Sequence, residues 1–120
     1  MRRDWELIRK IILAVEDHSA GYAPDLHFDG YTEEQVGYHC YLLVDAGYAE
    51  GENTTTLGSD SPRWTIFHLT SAGHDFAEAS RNESVWANAM KLIKEKAGTV
   101  TADVLKEVLA AGLKLVLGLP

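Results

Sequence analysis

The sequence predicts an α+β fold, mostly helical, in which a helix, a short strand and a second helix lead into a long-tipped two-stranded hairpin, followed by a C-terminal helical extension. Three observations predict it. Apolar residues recur at helical spacing in five separate segments. A stretch rich in Gly, Ser, Thr, Asn and Asp, residues 51–62, separates two short runs that favour strand. Finally, 120 residues with 46% hydrophobic and 24% charged side chains are one domain's worth of globular chain.

The elements follow in order. Asp4–Asp17 reads as a helix, with Trp5, Ile8, Ile12 and Val15 on one stripe, Leu7 and Ile11 widening it, and Asp4 able to cap the first turn. His18-Ser19-Ala20-Gly21 ends it. Within Tyr22–Tyr31, the alternation of Leu26 and Phe28 with His27 and Asp29 suits a short strand. Thr32-Glu33-Glu34-Gln35 fits a capping box opening a second helix, with Val36, Cys40, Leu43 and Val44 inward and Gly47 in the left-handed position after its end. Tyr48-Ala49-Glu50 and Arg63–Leu69 read as the two hairpin strands. Thr70 or Ser71 caps a third helix, Ala72–Ser80, and Asn82 caps a fourth whose apolar face is Val85, Trp86, Ala89, Met90 and Ile93 and which Gly98 stops. Thr101 opens the last helix. The organisation is a core over residues 1–80 and a helical extension over 81–120, within one folded unit.

Charge excludes some functions. Lys and Arg number 11 against 18 Asp and Glu, a formal net of −7. Residues 1–80 carry five basic and fourteen acidic side chains, a net of −9, whereas 81–120 carry +2. General nucleic-acid binding needs a basic surface, which this chain lacks. One cysteine allows no internal disulfide, and no secretory signal or apolar run of membrane-spanning length is present, which places the chain in the cytoplasm. Asn53-Thr54-Thr55 and Asn82-Glu83-Ser84 match glycosylation sequons by chance in that compartment.

Helix, short strand, helix and strand-loop-strand ending in Leu69-Thr70-Ser71-Ala72-Gly73-His74-Asp75-Phe76 resembles a winged helix, a helix-turn-helix-like fold. Tyr41-Leu42-Leu43-Val44-Asp45-Ala46-Gly47-Tyr48 resembles the passage from its recognition helix into the first wing strand. More specifically, the chain is similar to a family of small uncharacterised bacterial and prophage proteins, a domain of unknown function. The segments that carry this are Arg3-Asp4-Trp5-Glu6-Leu7-Ile8-Arg9, Tyr38-His39-Cys40-Tyr41-Leu42-Leu43-Val44-Asp45-Ala46-Gly47, the Leu69–Phe76 run and Val85-Trp86. The resemblance implies a fold and no activity. It departs from an ordinary winged helix in one respect, since the helix before the recognition helix is missing or reduced to the Pro24 linker.

On a helical wheel the face opposite the buried stripe of the second helix holds Glu34, Gly37, Tyr38, Tyr41 and Asp45. Base edges and phosphates call for Arg, Lys, Asn or Gln, and this face has none. Glu34, Tyr38, Tyr41 and Asp45 instead suit a docking face for a basic protein partner, unless one ring folds over the core or the hairpin. The expected function is therefore a non-enzymatic protein-interaction module of winged-helix type. The alternative is a winged-helix DNA-binding transcriptional regulator, whose contacts would come from Arg2, Arg3, Arg9, Lys10, Arg63, Lys91 and Lys94, with Lys96 beside them.

No catalytic residue, cofactor site or metal site is expected. His18, His27, His39, His68 and His74 are dispersed, and His39 and Cys40 point about 100° apart on their helix. His39 fits a hydrogen-bonded core histidine, and Cys40 a small core residue. There is no nucleophile elbow, P-loop or dinucleotide fingerprint. The last helix carries apolar side chains over more than half its circumference, wider than the about 100° stripe a surface helix needs. Two arrangements explain this: a two-fold homodimer through this helix, or an intramolecular clamp across Trp5, Trp86 and the fourth helix.

Overall fold

A computed structural model describes residues 1–95 and 100–120 of the chain; Lys96 and Gly98, named above, lie outside the described residues. The elements are α1 (Trp5–Asp17), α2 (Glu33–Asp45), β1 (Ala49–Asn53), β2 (Trp64–Leu69), α3 (Ser71–Arg81), α4 (Glu83–Glu95) and α5 (Ala102–Leu117), an α+β arrangement as expected. The chain forms two compact units, Met1–His74 and Asp75–Pro120.

In the first unit the helix starts follow from their caps. Asp4 Oδ1 accepts the Glu6 and Leu7 N–H groups at 2.9 and 3.2 Å, satisfying two donors that α1 cannot. At α2 the capping box is complete. Thr32 Oγ1 accepts the Gln35 N–H at 3.1 Å, and Gln35 Oε1 accepts the Thr32 N–H at 2.8 Å. The far end of α2 closes with two bonds, Gly47 N–H to Val44 O at 3.0 Å and Tyr48 N–H to Leu43 O at 2.9 Å. That closure puts Gly47 at φ +81°, a conformation open to glycine at little cost.

Leu7, Ile8, Ile11, Ile12 and Val15 of α1 are buried, as are Val36, Cys40 and Leu43 of α2 and Ile66 and Leu69 of β2. Each fully buried aliphatic side chain contributes about 1.5–3 kcal/mol over its exposed state, so this cluster dominates the unit's stability. β1 and β2 pair antiparallel, from Ala49 opposite Leu69 to Asn53 opposite Trp64, with Phe67 as the unmatched residue of a bulge. β1 thus runs three residues beyond the expected Tyr48-Ala49-Glu50.

Where the short strand was expected before α2, the chain builds no ladder. The Ala23 N–H bonds the Phe67 carbonyl at 2.7 Å, and the sheet is otherwise β1 and β2 alone. A single bond makes no ladder, so this segment stays outside the sheet.

In the second unit Phe76 meets Trp86 edge-on, with ring centroids 6.2 Å apart. α4 packs on α5, burying Val85, Trp86 and Ala89 of one and Leu105 and Leu109 of the other. Asn82 caps α4 through the Val85 N–H at 3.1 Å, and Thr101 caps α5 through the Val104 N–H at 3.2 Å. No helix among the described residues is long and apolar enough to cross a membrane.

Candidate functional site

The outer face of α2 is set by which of its neighbours lean on it. Val36, Cys40 and Leu43 bury one side, so the residues about half a turn away face outward. Asp45 is exposed there, while Glu34, Tyr38 and Tyr41 are half-buried rather than fully open. The cause is the hairpin. The Tyr38 and Tyr41 rings stand 5.8 Å apart, and Tyr41 continues to Trp64 of β2 at 6.5 Å. On the inner side Tyr38 meets the His39 ring edge-on at 5.8 Å. An aromatic row therefore runs from α2 onto β2, with its outer edges open to solvent.

The expected placement of Gly37 on this outward surface is corrected by the structure. Gly37 is buried, because the Arg63 side chain lies along it; a Cβ there would stand 2.6 Å from Arg63 Cγ. The Arg63 guanidinium reaches to 3.7 Å from Glu33, and Ser61 donates to Glu34 Oε1 at 3.1 Å. The described cation nearest this face is thus drawn toward a carboxylate, and the face presents phenols and acids.

Trp64 and Leu57 were not singled out from the sequence. Leu57 is fully exposed at the hairpin tip, on a turn closed by the Ser59 N–H to Thr56 O bond at 3.0 Å. The signal for the hairpin's approach was Gly37 itself. A glycine inside a helix costs up to about 1 kcal/mol relative to alanine, and a close neighbour is one reason to keep it.

The titratable groups nearby are structural. His39 is 2% exposed; its Nε2 accepts the Asp4 N–H and its Nδ1–H donates to the Gln35 carbonyl, both at 2.8 Å. Both ring nitrogens are used by the neutral ring, and burial lowers the pKa. Tyr31 donates its hydroxyl to Asp4 Oδ2 at 3.2 Å, and burial together with that carboxylate raises its pKa. Cys40 lines the floor of an open groove of about 380 Å³ between α2, β2 and the Pro24–His27 segment. Burial pushes its thiol up to about 12, so it is not a thiolate nucleophile at neutral pH. Among the described residues no three His, Cys, Asp or Glu side chains are placed to hold a metal ion.

Of the residues named for the DNA alternative, Arg63 lies along α2 at Gly37, and the others belong to other segments. Arg2, Arg3, Arg9 and Lys10 belong to the start of the first unit, where the Arg3 guanidinium stacks on Trp5 at 4.3 Å. Lys91 and Lys94 are on α4 of the second unit, and Lys91 lies 4.0 Å from Glu95.

The model of a family described as "Hypothetical protein (DUF2513)" matches residues 2–99. The chain belongs to this family. The DUF2513 match spans the first unit from Arg2 onward, and so every residue of the α2 face and the hairpin. A relative from Haemophilus influenzae, described as "Uncharacterized protein", is 35% identical over 111 residues, covering 90% of this chain and 92% of the relative. No solved structure matches the chain.

Proposed function

We propose that this chain is a non-enzymatic protein-interaction module of winged-helix type, which docks a basic protein segment on the outer face of α2. The observation that carries this reading is the chemistry of that face. Where a DNA-reading helix needs cations, it presents Tyr38, Tyr41 and Asp45 beside Trp64. Half-buried tyrosines lose little side-chain freedom when a partner covers them, and their hydroxyls keep a polar contact. Asp45 and the neighbouring Glu34 supply the charge that attracts lysines and arginines and repels phosphate.

The test compares two fluorescent probes on the full chain, a Lys/Arg-rich peptide and a duplex DNA, at several salt concentrations. The peptide is expected to bind and the duplex to remain free. Changing Tyr38→Ala and Tyr41→Ala together should weaken peptide binding by about tenfold while the circular dichroism spectrum stays native. Tight duplex binding that falls steeply as salt rises would reject this reading in favour of a DNA-binding regulator.

A further inference from the structure

Among the described residues α5 carries two apolar stripes, and one of them packs on α4. Leu105 and Leu109 are buried, and Gly112 follows them along the helix with Val85 of α4 as its nearest neighbour. Val104, Val108, Ala111 and Leu115 form the second stripe. At 100° per residue they fall within an arc of about 60°, at the four-three-four spacing of a coiled-coil seam. Val104 is 47% exposed and Leu115 81%, Ala111 is exposed and Val108 half-buried. Isolated exposed leucines are ordinary, but a stripe with this period along one helix is the signature of a helix partner.

The charges beside the stripe say which partner fits. Glu107 and Lys114 are both exposed and flank the seam on the same side. They are seven residues apart, about 10.5 Å along the axis, too far to pair within one helix. An antiparallel copy of the same helix sets Val104 opposite Leu115 and Val108 opposite Ala111. That register brings Glu107 of each copy near Lys114 of the other, on the flank where antiparallel coiled coils place their charge pairs. A parallel pairing would set Glu107 across from Gly112 of the other copy, where it meets no charge. Ala111, near the centre, lets the two helices approach closely.

We infer that α5 pairs with α5 of a second copy, antiparallel and two-fold symmetric, through Val104, Val108, Ala111 and Leu115, with Glu107 and Lys114 fixing the direction. This goes beyond the docking role of α2 and does not depend on it.

Sedimentation equilibrium of the full chain is the test, with the wild type expected at twice the chain mass at micromolar concentration. Leu115→Asp puts one unpaired charge per copy into the seam, and should raise the dissociation constant by about 100-fold. Because Leu115 is exposed in the single chain, that variant should keep its helical circular dichroism. Glu107→Lys and Lys114→Glu alone should each weaken the dimer by about fivefold, and the two together should restore it. A wild type that stays monomeric, a dimer indifferent to Leu115→Asp, or a double charge swap that fails to restore pairing would each overturn the inference.

Discussion

Replacing Gly73 by alanine is expected to destabilise the protein by about 3 kcal/mol, the upper end of the usual overpacking cost. A Cβ at this position would run into the Tyr48 carbonyl oxygen, with the Leu69 Cβ also only 3.2 Å away. Neither obstacle is a flexible chain end, so the collision cannot be relieved by a rotamer change. The joint is already tied: the Thr70 N–H bonds the Tyr48 carbonyl at 3.0 Å, Thr70 Oγ1 donates to the Gly47 carbonyl at 2.6 Å, and the Gly73 N–H reaches Thr70 Oγ1 at 3.2 Å. Alanine's better helix propensity, about 1 kcal/mol over glycine, offsets only part of the cost. Urea unfolding of Gly73→Ala beside the wild type measures the effect. A variant of equal or greater stability would show that the start of α3 does not press on the Tyr48 carbonyl.

The second large effect is at His39. His39→Ala removes a buried ring and leaves the Asp4 N–H without its acceptor, with an expected loss of about 3 kcal/mol. The same residue makes stability depend on pH. Burial holds the folded-state pKa below the ordinary 6.5, so the unfolded chain binds the proton first as pH falls. The contribution is fully present above about 6.5 and is lost as pH falls through the lower folded value. His39→Gln keeps a neutral acceptor that does not titrate. Its unfolding midpoint should therefore lie below the wild type at pH 7.5 and change less between pH 7 and 5. Equal slopes for the two proteins over that range would contradict the hydrogen-bonded neutral ring.

Much of this was legible because it is local. The Asp4 cap, the Thr32–Gln35 box and the Gly47 closure each depend on a few consecutive residues, and each formed as their chemistry requires. The hairpin was legible from its loop composition and flanking strand formers. The short strand near Leu26 and Phe28 was expected from alternation alone, and the segment makes a single backbone bond to β2, from Ala23. That outcome shows period-two spacing to be weak evidence over so few residues.

The candidate face was legible only in part, since a wheel locates a side chain around its own helix and says nothing of what folds back over it. It placed Tyr38, Tyr41 and Asp45 on the outer side of α2, but could not show Arg63 lying along Gly37 or Trp64 beside Tyr41. Those contacts depend on the angle at which the hairpin leaves α2, a tertiary property. His39 was read as a hydrogen-bonded core histidine, while its partner across 35 residues, the Asp4 N–H, emerged only from the packing of α1 on α2.

The most direct measurement of the α2 docking surface is a titration of the isotope-labelled full chain by two-dimensional NMR, first with a Lys/Arg-rich peptide and then with a short duplex. The account predicts peptide-induced shifts over residues 34–45 and at the Trp64 indole, and none of comparable size with the duplex. Shifts over residues 34–45 produced by the duplex and not by the peptide would contradict it.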